Sequence, residues 1–133
     1  MGWLGVLLAT VAAMAIGAAW YGLLARPWIA ANGFTPDQVR EIERSRDPLP
    51  YAVAALAHAV MALVLAGLLE AVGAASVADG MVLGLTLWTG LVATAMAVNH
   101  RFQLKPWSLT LLDSGHYLAI LLAQGAILGW FAG

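Results

Sequence analysis

The sequence predicts an all-α fold: an integral membrane four-helix bundle with one short cytoplasmic surface helix between the first and second spans. Three observations predict it. Hydrophobic residues make up 62% of the 133 and charged residues only 10%, far from the balance of a domain that clothes itself in water. The apolar residues fall in four blocks, each long enough to cross ~30 Å of hydrocarbon at ~1.5 Å per residue. All 6 Lys and Arg lie in two of the connections, with Arg26, Arg40, Arg44 and Arg46 in the first and Arg101 and Lys105 in the third.

The whole chain, 1–133, reads as a single transmembrane domain. Helix one covers about 2–25 and carries no charged side chain. Its first cation follows the apolar run instead of preceding it, so the segment is expected to be retained as a span and not cleaved as a signal peptide. In the polar stretch that follows, Thr35-Pro36-Asp37-Gln38 reads as a helix start. Thr35 caps, Pro36 suits the first helical position, and Gln38 reaches back to complete a capping box. A surface helix is expected over about 36–44. Helices two, three and four are expected over about 50–74, 80–98 and 107–131. Four core helices of a soluble protein would leave too few polar residues to face water.

By the positive-inside rule the cation-bearing loops, 26–50 and 99–106, are cytoplasmic and both termini are outside. Trp28 and Trp107 then fall at the inner boundary, and Trp3 and Trp130 at the outer. Trp20 and Trp88 are left inside the bundle. The lipid bilayer is the expected partner. A net charge of −1 lacks the cation surplus that nucleic acid requires. With no cysteine, thiolate chemistry, iron–sulfur clusters and disulfides are excluded. No cofactor is expected.

Gly5, Ala9, Ala13 and Gly17 recur every four residues along helix one, a stripe on which another backbone can approach closely. It serves packing within the protomer or self-association into a homo-oligomer. Helix three repeats the device with Gly80, Gly84, Thr86, Gly90 and Thr94.

An ionisable side chain at the centre of a span costs ~2.5 to 3.5 kcal/mol on insertion scales. The large apolar residues of helix four return roughly 0.3 to 0.6 kcal/mol each, which Asp113, His116 and Gln124 nearly cancel. Those groups are therefore expected to face protein or water. Counted from the inner boundary at ~1.5 Å per residue, Asp113 lies ~9 Å deep, His116 ~13 Å and His58 of helix two ~12 Å. Asp113, His116, Tyr117, Ile120 and Gln124 share one helical face. Thr89, Thr94 and Tyr21 reach the same inner-half layer, and Asn99 either caps helix three or bonds to helix four. His100 and Arg101 suit the dipole of that helix terminus.

Three readings fit the polar layer of His58, Asp113, His116, Tyr117, Thr89, Asn99 and Tyr21. Its groups pair and fix helix packing; or they titrate and pass protons, ions or a small solute; or His58, Asp113 and His116 ligate a metal. Only one local ligand pair is visible, so no tightly bound metal is expected.

Gly17-Ala18-Ala19-Trp20-Tyr21, Leu87-Trp88-Thr89-Gly90-Leu91-Val92-Ala93-Thr94, Val98-Asn99-His100 and Leu112-Asp113-Ser114-Gly115-His116-Tyr117 occur in an order that resembles the small bacterial membrane proteins grouped as domain of unknown function 1761. The resemblance covers almost the whole chain. It implies a bacterial inner membrane as the location. It also implies that Trp20, Tyr21, Trp88, Thr89, Asn99, His116 and Tyr117 belong together. Family members often continue Trp-Tyr-Ser-Pro, where this chain has Trp20-Tyr21-Gly22-Leu23.

The leading functional expectation is a homo-oligomer with an inner-leaflet polar site for protons, ions or a small solute. The alternatives are a non-catalytic subunit of a larger membrane complex, docked through its glycine stripes and surface helix, and a metal-dependent membrane enzyme acting on a lipophilic substrate. No nucleophile motif or phosphate-binding loop points to the enzyme.

Overall fold

The computed structural model describes residues 2–133. Among them, four helices are long and apolar enough to cross a membrane: Trp3–Leu23, Leu49–Val72, Val77–Phe102 and Trp107–Ala132. The described residues are helical or in short connections, with no strand.

Helix α1 (Trp3–Leu23) breaks at Leu24, and the chain re-enters a helix, α2 (Ala25–Asn32). The polar stretch after the first span thus begins with a helix that composition alone does not announce. Pro27 falls in the first turn of α2, where a missing N–H costs nothing. Gly33 ends α2 at φ 72°, the left-handed position that glycine adopts freely. Helix α3 (Pro36–Arg44) starts on a full capping box. The Gln38 backbone N–H donates to Thr35 Oγ1 at 3.2 Å, and the Thr35 N–H donates to Gln38 Oε1 at 2.8 Å.

Helix α4 (Leu49–Val72) carries Pro50 in its first turn and ends on Gly73. The third span is composite: α5 (Val77–Leu87), a π-helical turn (Trp88–Ala93) and α6 (Thr94–Phe102). It starts earlier and ends later than 80–98, because Ser76 caps it by accepting from the Asp79 N–H at 3.1 Å and because Asn99, His100 and Arg101 continue the helix. The connection to α7 (Trp107–Ala132) is therefore short. The Lys105 N–H donates to the His100 carbonyl at 2.9 Å and the Leu104 N–H to Arg101 at 3.2 Å. Leu104, at φ 58°, occupies the left-handed position that glycine normally fills in such helix ends.

Helix α7 lies at the centre and packs on α1, α4 and α5. Its closest approach is to α5, and glycines set it. A methyl group on Gly80 would overlap the Gly125 carbonyl, one on Gly84 the Leu121 carbonyl, and one on Gly129 the Ser76 carbonyl. In lipid, where chain and solvent are equally apolar, such backbone proximity is what lets packing forces hold helices together. The remaining core is a cluster of Ala9, Ala62, Leu65, Ala66, Leu69, Leu121 and Leu128.

On α1, Gly5, Ala9 and Ala13 are buried inside the chain. Phe131 sits against Gly5, and His116 against Gly17. The small-residue stripe is thus a packing face within the protomer. Large apolar side chains such as Leu7, Val11, Leu56, Val60, Val82 and Leu111 point outward.

Candidate functional site

Helix α7 brings its polar face into the bundle near the end that carries the cations. Two tryptophans hold it there. The Trp20 indole N–H donates to the Leu112 carbonyl at 3.0 Å, and that of Trp88 to the Ser114 carbonyl at 2.7 Å. Carbonyls two residues apart face opposite sides of a helix, so the two indoles clasp α7 around Asp113. Gly115 allows the Trp20 ring to lie close, since an added methyl would meet its Cζ2 at 3.1 Å. Trp88 begins the π-helical turn, a departure from regular helix that recurs at functional positions.

Asp113 accepts from the Tyr21 hydroxyl at 2.7 Å through one carboxylate oxygen. Its other oxygen lies 3.9 Å from Nε2 of His100. His100 Nδ1 is 2.8 Å from the Thr110 hydroxyl, which also accepts from Nη2 of Arg101 at 2.8 Å. In the tautomer protonated at Nε2, His100 Nδ1 accepts from the Thr110 hydroxyl and the Nε2 N–H faces Asp113. Arg101 stacks 3.6 Å over the Trp107 ring, and Lys105 donates to the Asn32 carbonyl at 3.3 Å. A line of polar groups therefore runs from Tyr21 through Asp113, His100 and Thr110 to the cationic end.

Deeper in the bundle stands His116, 6% exposed, with no hydrogen-bond partner on either ring nitrogen. Aromatic rings enclose it: Tyr117 at 4.8 Å, Tyr21 at 4.9 Å, His58 at 6.3 Å and Trp20 at 6.5 Å between centroids. His58, 4% exposed, turns Nδ1 toward the Met14 sulfur at 3.3 Å. Nearby, the buried Gln124 amide donates to the carbonyls of His58 at 3.0 Å and Ala9 at 3.3 Å. It bridges α7 to α4 and α1.

The structure thus gathers Tyr21, His58, Asp113, His116, Tyr117, Trp20 and Trp88. Thr89 and Thr94 are exposed and return their hydroxyls to their own helix, at Leu85 and Gly90. Asn99 is also exposed. Among the described residues no three of His, Asp and Glu converge on a point, because the Asp113 carboxylate is turned to Tyr21 and His100. The sequence passes over Met14 and Thr110, and it marks His100 and Arg101 only as cations at a helix terminus. Thr110 carried a signal, since it extends the Asp113 face of helix four by one turn. The approach of His100 to Asp113 becomes visible only once the third span is known to run to Phe102.

Fold and geometry together define a bundle of four helices apolar enough to cross a membrane, with Tyr21, Asp113, His58 and His116 gathered among aromatic rings toward its cationic end. The chain belongs to the family described as Protein of unknown function (DUF1761), which matches residues 4–129. No curated protein matches the chain. No solved structure matches it.

Proposed function

We propose that this protein handles protons at an intramembrane site that opens toward the cytoplasm. One observation carries the reading. His116, buried and without a hydrogen-bond partner, stands beside a line of polar groups, Tyr21, Asp113, His100 and Thr110, that leads to the cationic end with one gap of 3.9 Å between Asp113 and His100. Intramembrane Asp and His are costly to insert and recur as proton relays. By the positive-inside rule the Arg101 and Lys105 end faces the cytoplasm and both termini lie outside. The site then occupies the inner half of the bilayer. A second copy or another membrane protein would be met through the outward apolar faces, since the α1 stripe is spent inside the chain.

Asp113→Asn keeps shape and the acceptor for Tyr21 but removes titration. In proteoliposomes with an internal pH dye and an imposed potential, wild-type protein is expected to conduct protons and the variant to be silent. Its detergent stability should stay within ~1 kcal/mol of wild type. A wild type without flux overturns the reading.

A further inference from the structure

We propose that Met14, His58 and His116 form a binding site for a soft monovalent metal ion, copper(I). The inference goes beyond proton handling: it shares the unpartnered His116 with that reading and adds the approach of His58 to Met14.

The first is a convergence on one face of α1. His58 Nδ1 addresses the Met14 sulfur at 3.3 Å. A methyl at Gly17 would stand 3.2 Å from His116 Nε2. Met14 and Gly17 are three residues apart and so share that face. Two imidazoles on different helices thus aim a nitrogen at neighbouring turns of a third helix, and Gly17 leaves space where any other residue would place a carbon.

The second is the state of the imidazoles. Both histidines are more than nine-tenths buried, at 4% and 6% exposure, and neither nitrogen of His116 has a hydrogen-bond partner. A buried polar group is ordinarily satisfied, and a metal ion satisfies an imidazole lone pair as well as a donor does. Spacing agrees with this. With metal–nitrogen bonds of ~2.0 Å, two imidazoles on one ion place their centroids about 5.5 to 6.3 Å apart, from trigonal to linear. The observed separation, 6.3 Å, is at the linear end of that range, with the Met14 sulfur approaching from the side of His58.

The ligand types select the ion. Thioether and imidazole are uncharged, and thioether is a soft donor that favours copper(I). The nearest carboxylate, Asp113, is engaged by Tyr21 and faces His100, so no carboxylate oxygen is turned to the site as a ligand. The cost of burying an ion grows with the square of its charge, so a monovalent ion is far easier to hold here than a divalent one. Zinc also asks for a fourth ligand in a structural site, and no three of His, Asp and Glu gather among the described residues. The rings of Tyr21 and Tyr117, at 4.9 and 4.8 Å from the His116 ring, pack beside the site.

The purified full-length chain in detergent should be titrated with copper(I), kept reduced, against a chromogenic copper(I) chelator. The expected result is one ion per chain and a rise in unfolding temperature on loading. X-ray absorption at the copper edge should show nitrogen neighbours and one sulfur. Met14→Leu, which conserves volume, should lose the sulfur signal and weaken binding by more than about tenfold, the scale on which even outer-shell changes weaken a metal site. His116→Gln should weaken binding to a similar extent while keeping the sulfur neighbour. Asp113→Asn, which disables the proton line, should retain copper(I), so the two readings fail separately. Absence of stoichiometric uptake by the wild type overturns the proposal, as does a Met14→Leu protein that binds equally well or a site that prefers zinc(II) over copper(I).

Discussion

The Tyr21 hydroxyl donates to the Asp113 carboxylate at 2.7 Å, joining the first span to the last across 92 positions of sequence. The bond is the contact through which α1 reaches the titratable face of α7. It ties the placement of Asp113 to the end of α1, one residue after Trp20 has fixed the neighbouring Leu112 carbonyl.

Tyr21→Phe should therefore affect both stability and function. Losing a hydrogen bond to a carboxylate costs about 1.5 to 3 kcal/mol, measurable as a shift in unfolding in mixed detergent. Proton flux in vesicles should fall in the same variant. In a double-mutant cycle with Asp113→Asn the two losses should be non-additive. Additive losses would mean that the hydroxyl and the carboxylate act independently.

Gly125→Ala is expected to be among the most damaging single changes in the chain. The added methyl meets the Gly80 backbone, which cannot yield as a flexible side chain would, so α5 and α7 must separate. Gly67→Ala is the control, being on an exposed face with nothing within 4 Å of the added carbon. It should hold or raise stability by up to ~1 kcal/mol through helix propensity. Thermal unfolding of the pair tests this, and equal behaviour would discount the glycine crossing.

Gln124 is 0% exposed and leaves its own carbonyl oxygen without a partner. Gln124→Met keeps the volume and removes that burden along with two donated bonds, so it should cost less than about 1.5 kcal/mol. Gln124→Glu should be far worse, because it turns the Ala9 and His58 carbonyls toward an acidic oxygen in a buried site. Comparable stabilities for the two variants would contradict the bridging geometry.

Leu104→Gly should stabilise the turn between α6 and α7. Leucine in the left-handed conformation costs ~1 to 2 kcal/mol, and Leu104 is 91% exposed, so little packing is lost. A net gain of roughly 0.5 to 1 kcal/mol is expected after the extra entropy of glycine. A loss of stability would show that Leu104 is held by contacts beyond the turn.

The orientation can be read with cysteines, because the chain has none of its own. Probes at Ser45 and Ser76 should react from opposite faces of a sealed membrane, Ser45 from the cytoplasm. Labelling of both from the same side would reverse the topology argued from Arg26, Arg40, Arg44, Arg46, Arg101 and Lys105.

What the sequence determined by itself was set by sums and by local geometry. Four spans follow from uninterrupted apolar length, and the start of α3 follows from Thr35, Pro36 and Gln38, whose bonds close within one turn. The cost of Asp113 and His116 in hydrocarbon likewise pointed inward without reference to any neighbour. Only the tertiary structure decided which polar residues meet. The spans are apolar around most of their circumference, so composition barely distinguishes the face of Thr89 and Asn99, which turn outward, from that of Trp88, which turns in. The rotation of each helix is set by close backbone contacts such as Gly80 on Gly125. These depend on residues 45 positions apart, and the Gly80 and Gly84 stripe, though legible in its own segment, does not name its partner there. His100 reaches Asp113, and Met14 reaches His58, for the same reason: packing of four helices chose the neighbours, and no span carries that choice in its own residues.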